Sequence, residues 1–281
     1  MIMTEVSQHM KSVILSLVFR GLAIFTLLLC SLIQTFGQSD STAVSSVEEM
    51  SKKRQDPVSG LRSIFLQEVL LPVGEGTASS FSIQPVWPFK LGKNLKLITY
   101  TIIPIQSVPP ITVGDTKQSG MGNILFNGYF SPIQKRSKLS WGIGPALLIP
   151  TRTNAALGSD RVSIGPTGLL YYAGEKITGG AVVQNYWSLG GEGANKVNSF
   201  SLQYVAYYNL PNGWFIESNA TIIANWLSDS DKWLVPLGGG PGKTFKLGKL
   251  YYCGAAQLFY NAATPAYVGN WQAVFQLQVI L

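Results

Sequence analysis

The chain has 281 residues, of which 46% are apolar and 11% aromatic but only 12% charged, roughly half the charge share of an ordinary soluble domain. Its formal net charge is +7, and 29 glycines, with Asn, Gln, Ser and Thr, take the place of the missing charge. This balance excludes a disordered chain, which is charge-rich and poor in aromatics, and a heptad-built coiled coil, and it describes a protein with little water-facing surface.

Residues 1–37 read as a signal peptide. Lys11 and Arg20 precede or flank the 13-residue apolar run Gly21–Ile33, and Thr35-Phe36-Gly37 before Gln38 resembles a small-x-small cleavage site. The run is shorter than the ~20 residues of a membrane-spanning helix. Leu29, before Cys30, is too large for a lipoprotein signal. Cleavage removes Lys11, Arg20, Glu5, Cys30 and His9, which leaves 19 cations, 13 anions, a net charge of +6, one cysteine (Cys253) and no histidine. A chain without histidine has no Ser-His-Asp or Cys-His machinery and no His-ligated zinc, and the expectation is that it is not an enzyme and has neither a cofactor nor a metal site.

Residues 38–60 (Ser39–Gly60, SDSTAVSSVEEMSKKRQDPVSG) are polar, with no periodic apolar positions, and read as a polar periplasmic N-terminal tail. From about Arg62 to Leu281 period-2 alternation dominates. Turn signals cut this stretch into about twelve strands, over 62–71, 79–87, 95–105, 121–131, 139–149, 161–172, 177–187, 197–208, 214–226, 232–242, 249–260 and 270–281. They are longer than the usual 5–6 residues or so. Trp214 and Trp226 are 12 steps apart, which is ~40 Å along a strand and, at a ~45° tilt, a rise of ~28 Å, close to the hydrocarbon thickness of a bilayer. The connections alternate between short, often basic turns (88–94, 132–138, 173–176, 209–213, 243–248) and generally longer polar loops (106–120, 150–160, 188–196, 227–231, 261–269). An even number of long strands with short turns at one end and long loops at the other is the outer-membrane pattern. The predicted fold is all-β: a closed antiparallel transmembrane β-barrel of 12 strands with both termini periplasmic. Closure also removes the exposed edges that so long an apolar sheet would carry.

The alternation assigns faces. Trp271, Ala273, Phe275, Leu277, Val279 and Leu281 oppose Gln272, Val274, Gln276, Gln278 and Ile280. Trp214 to Trp226 in steps of two oppose Phe215, Glu217, Asn219 and Asn225, and Phe200 to Tyr208 oppose Gln203 and Val205. If the aromatic faces meet lipid, Gln203, Glu217, Asn219, Asn225, Gln257, Gln272, Gln276 and Gln278 line the lumen, and Trp214, Trp226, Tyr208 and Trp271 mark the membrane interface. The cations Lys90, Lys93, Lys96, Lys135, Arg136, Lys138, Lys176, Lys243, Lys246 and Lys249 gather at the short-turn end, where lipid head groups, lipopolysaccharide included, are the expected partners and nucleic acid is not. Pro145, Pro166 and Pro236 predict bulges or strand ends. Gly238–Lys243 has the wrong spacing for a phosphate loop and reads as a glycine-kinked strand. The apolar last strand is of the kind received by the outer-membrane insertion machinery, although it ends in Leu281 where Phe is usual.

The segment 81–105 (FSIQPVWPFKLGKNLKLITYTIIPI), followed in order by 120–132 (GMGNILFNGYFSP), 141–166, 182–191, 197–226 and 232–249, resembles the outer-membrane transporter-like family of the MetA-pathway of phenol degradation, some of whose members carry the label neuromedin U. The similarity covers roughly 80–270. Departures include Asn123 for a common Asp, Tyr100 for a common Arg, and Val162-Ser163 where a Trp is common. The resemblance implies an outer-membrane barrel that acts as a passive channel or transporter for small molecules, apolar or aromatic ones by the family's label, but it supplies no binding residues and leaves the solute unknown. A structural or interaction barrel with a closed lumen is the alternative.

Overall fold

A computed structural model describes residues 41–110, 116–133, 137–189 and 196–281. The signal-peptide segment, and with it the cleavage site, lies outside the described residues, as do Lys135 and Arg136.

Twelve strands follow one another around a ring: β1 (Ser63–Val73), β2 (Gly76–Lys90), β3 (Leu95–Val108), β4 (in two pieces, Gln118–Met121 and Ile124–Pro132), β5 (Leu139–Ile149), β6 (Ser163–Ala173), β7 (Ile177–Ser188), β8 (Asn198–Asn209), β9 (Trp214–Asn225), β10 (Trp233–Leu247), β11 (Leu250–Ala263) and β12 (Trp271–Ile280). Each pairs antiparallel with the next, and β1 closes on β12 with Ser63 opposite Ile280 and Leu70 opposite Ala273. Every backbone donor and acceptor along the wall thus has a neighbouring strand to pair with, which is the condition for a sheet that stands in hydrocarbon. The predicted closed barrel of 12 strands is what forms.

The alternation sets the two surfaces. Along β12 Gln272, Val274, Gln276, Gln278 and Ile280 are 2–7% exposed and point inward. Between them Trp271, at 43%, faces out. The outer face is apolar and open along the other strands too, with Ile143, Leu170, Ile177 and Leu258 all more than half exposed. Exposed side chains of this kind find no stable place in water but fit acyl chains.

Several irregularities shape the wall. In β4, Met121 lies opposite Ile105 but Leu125 opposite Ile102, so one extra residue is absorbed at Gly122–Asn123. Pro236 sits at a register shift between β10 and β11, as its missing N–H demands. Pro145 and Pro166 correct the expectation of bulges: they face each other across β5 and β6 in unbroken register, and pairing lapses on the far side of each instead, at 128–129 of β4 and 185–186 of β7. A proline pair placed so leaves the ladder between its own two strands intact.

Within the polar segment ahead of the barrel, the described residues 41–60 are ordered against the lumen. Ser41–Gln55 form helix α1, and residues 51–58 enter the short-turn end of the lumen, where Ser51, Arg54 and Gln55 are 4–6% exposed and Val58 2%. The helix has no apolar stripe because its surroundings are a polar inner wall rather than a hydrophobic core. Lys52, Lys53 and Arg54 occupy its last turn, where positive charge complements the helix dipole. Outside the mouth, Glu48 accepts from the backbone N–H of Asn212 at 2.8 Å, so the helix also grips the turn between β8 and β9. That turn bends at Asn212 and Gly213, both with positive φ, and a Cβ on Gly213 would lie 2.7 Å from Val47.

Candidate functional site

The site is the lumen, and Arg54 stands at its narrow end. Its Nε donates to Thr244 Oγ1 at 3.0 Å and its Nη1 to Gln278 Oε1 at 3.4 Å. The guanidinium lies 4.4 Å above the Phe215 ring centroid and 5.6 Å from that of Tyr207, so two aromatic faces stabilise the buried charge. Thr244 Oγ1 in turn donates to Ser51 at 3.1 Å. Gln55 donates to Asn209 at 2.8 Å and accepts from Thr178, and Lys96 donates to the carbonyl of Val58. Val58 packs into an apolar nest of Ile98, Tyr129 and Leu169. Asp56 accepts from the Val58 N–H at 2.9 Å and from Ser140 at 3.0 Å. Burial pushes its carboxyl above the usual range, an effect that these two hydrogen bonds and the charge of Lys96 only partly offset.

The wall facing the helix holds most of the predicted polar residues. Gln203 donates to Asn219 at 3.0 Å, and both border the cavity beside Arg54 together with Gln276 and Gln278. Glu217, 2% exposed, accepts from Gln257 Nε2 at 2.7 Å, while Gln257 Oε1 takes the backbone N–H of Asn219 at 2.9 Å. Gln257 is needed there because β9 and β10 pair only at 214–217 and 223–224. Between those stretches lie Gly238 and Gly239, and Gly240 pairs with Glu217 at their edge. A Cβ on Gly239 would come within 2.4 Å of the Glu217 carbonyl and one on Gly240 within 1.9 Å of that of Ala256. The glycine run therefore lets the neighbouring strands approach closely beside Glu217, and the Gln257 side chain takes up an N–H left without a ladder bond. Gln272 is buried on the same face farther up β12. Asn225 stands apart: it is exposed at the long-loop rim, where its Oδ1 accepts from the Leu227 N–H at 3.1 Å and closes a turn.

Among the described residues, two cavities lie in the lumen. One, of about 120 Å³, lies between Arg54 and the wall and is bordered by Phe65, Ile98, Tyr100, Tyr129, Leu169 and Tyr171 among others. The second, of about 380 Å³, lies toward the long loops, and the two share Gln67 and Gln84 in their walls. Over the second cavity folds the loop between β5 and β6, with Leu157 only 4% exposed beneath it. Arg152 fastens this loop by bonds to the carbonyls of Ala155 (2.8 Å) and Gly158 (2.9 Å) and an ion pair with Asp160 at 3.4 Å. Asn123 closes it: its Nδ2 donates to Ser159 O at 2.8 Å while its Oδ1 accepts from the Arg152 N–H at 3.2 Å. A carboxylate has no proton to donate there, so the Asn at this position suits its geometry.

The interface aromatics lie on the outer face. Trp226, Tyr208 and Trp271 are 41–47% exposed, and Trp214 is half-buried beneath Lys243, whose Nζ is 4.8 Å from its ring centroid. Lys246 over Tyr251 and Arg62 over Trp87 repeat that arrangement at the short-turn end. At the other end Phe200, Trp226 and Trp233 form one aromatic cluster.

Sequence reasoning missed Arg54 and the inward tyrosines 100, 129, 171 and 207. The tyrosines were open to discovery, since strand alternation places each on an inner face. Arg54 was not, because nothing in a polar run of charges says which one a barrel will enclose.

No family model matches this chain, and no curated protein matches it in sequence. Solved structures do. An outer-membrane channel from Pseudomonas putida F1 superposes with a TM-score of 0.54 at 14% identity, over 79% of this chain and 94% of that one. The CymD monoaromatic hydrocarbon channel matches at 0.42 and 8% identity, over 82% and 92%. Outer-membrane phospholipase A from Escherichia coli matches at 0.41 and 12% identity, over 84% and 97%. The last of these corrects the expectation of a non-enzyme: outer-membrane barrels that match this chain include an enzyme as well as channels, so the architecture does not separate the two. What the chain shares with these structures is the outer-membrane barrel fold.

Proposed function

We propose that this protein is a passive outer-membrane channel for small molecules. The observation that carries the reading is a lumen with two cavities of mixed polar and apolar lining that share Gln67 and Gln84 in their walls, closed at one end by a helix and at the other by a folded loop rather than filled by wall side chains. Gln203, Asn219, Gln276 and Gln278 belong to its lining, Glu217 and Gln257 are buried in the same wall without bordering either cavity, and Arg54 is its short-turn constriction. The resemblance of 81–105 and the blocks after it to the phenol-degradation transporter family supports the same reading. Residues 1–37 act as the signal peptide in this account, both termini face the periplasm, the insertion machinery receives β12, and the basic rim meets lipid head groups. The grip of residues 48–58 on the lumen favours the alternative of a closed structural barrel, and conductance decides between them. Refolded protein in planar bilayers is expected to show small or rare single-channel steps, and a variant lacking 41–57 larger and frequent ones. If neither protein conducts, and liposomes holding either stay impermeable to small solutes, the channel reading fails.

A further inference from the structure

Arg54 is a buried cation without a counter-ion in contact. Among the described residues no carboxylate lies within ion-pair distance of it. Glu217, whose charge acts on Arg54 from beyond ion-pair distance, accepts from Gln257, and Asp56, on the wall of the same cavity, accepts from Val58 and Ser140. Two of the three guanidinium nitrogens have partners, but Nη2 is enclosed and has none. Buried charges are ordinarily paired, because an unpartnered ionic donor loses its hydration without recompense. Arg54 is among the residues that border the 120 Å³ cavity, although Nη2 itself is enclosed rather than open to it. On its wall is a second orphan, Gln276 Oε1, and an amide can turn to present its NH₂ instead. The rest of the lining near Arg54 is largely apolar, including Phe65, Ile98 and Leu169. The volume is on the scale of the roughly 150 Å³ engineered cavity that takes up benzene.

We propose that this cavity is a binding subsite for a small apolar monocarboxylate, with the Arg54 guanidinium and the Gln276 amide turning toward it to hold the carboxylate and the apolar part of the wall holding a body no larger than about one six-membered ring. The inference deepens the channel reading by naming a solute class, and it adds a consequence. Because Arg54 is carried on α1, a bound carboxylate supplies a counter-ion in direct contact and stabilises the seated helix, so solute binding and occlusion of the lumen are coupled.

The test is equilibrium binding of benzoate to the full-length protein in detergent micelles, with benzyl alcohol as the uncharged control of similar size, and trypsin cleavage at Lys52, Lys53 and Arg54 as a second readout. Benzoate is expected to bind saturably and slow the cleavage, and benzyl alcohol to do neither. Arg54→Gln should weaken benzoate binding by about tenfold to a hundredfold, as loss of a charge-assisted bond does, and Arg54→Lys should retain part of it. Heat-shifted gel mobility confirms that each variant is a folded barrel. Equal binding of benzoate and benzyl alcohol, full binding by folded Arg54→Gln, or no saturable benzoate binding to the wild type overturns the proposal. None of these readouts requires conduction, so a barrel that binds benzoate but passes no current refutes the channel and leaves the subsite standing.

Discussion

Val58 offers the sharpest separation of the helix from the barrel. Its side chain is 2% exposed among Ile98, Tyr129 and Leu169 and holds the end of the α1 segment in the lumen. Val58→Ala removes two methyl groups. At ~0.8 kcal/mol for each buried carbon this costs about 1.6 kcal/mol, and up to about 2.5 kcal/mol with a residual cavity. The strand ladder does not include Val58, so the cost falls on the seating of 41–58 rather than on the barrel. Where opening and reclosing are fast, proteolysis follows the open population, and these energies predict ~15- to ~70-fold faster trypsin cleavage at Lys52–Arg54. The barrel's unboiled gel mobility should stay unchanged. Equal cleavage rates in the two proteins would show that Val58 does not hold the segment. Loss of the folded band in the variant would show that helix and barrel are one cooperative unit.

Two further outcomes follow from the same geometry. Asp56 has a raised carboxyl when seated and an ordinary one, near ~3.9, when the segment is free in water, so the seated form binds more protons. Seating is therefore favoured at acid pH and weakens as the pH rises through the seated value; trypsin-independent probes such as hydrogen exchange across 41–58 should show this trend in the wild type and lose it in Asp56→Asn, and a flat or inverted profile in the wild type would refute it. An epitope tag at 154–157, in the loop over the larger cavity, should be reached by antibody on intact cells, while one at 209–213, beside α1, should not; the reverse result would invert the assigned topology.

Most of the fold was legible in the sequence because a strand that separates lipid from an enclosed lumen must alternate, and alternation survives without any knowledge of neighbours. All twelve strands, the side of Trp271 and Gln272, and the special role of Gly238–Gly240 follow from period and turn chemistry alone. Proline was half legible: its missing N–H announces a lapse in pairing at Pro145, but which neighbour loses the bond depends on Pro166 standing opposite. The placement of residues 41–58 was not legible for a definite reason. Polarity in a sequence normally means contact with water, yet a barrel's interior is polar as well, and Ser51, Arg54 and Gln55 find there the hydroxyls and amides of Thr244, Gln278, Thr178 and Asn209. Local composition cannot distinguish these two environments. The sequence by itself determined a charge-poor wall of alternating strands and therefore a membrane barrel. Only the tertiary structure decided that its own N-terminal segment fills one end and leaves Arg54 facing a cavity, because that depends on contacts between residues nearly two hundred positions apart.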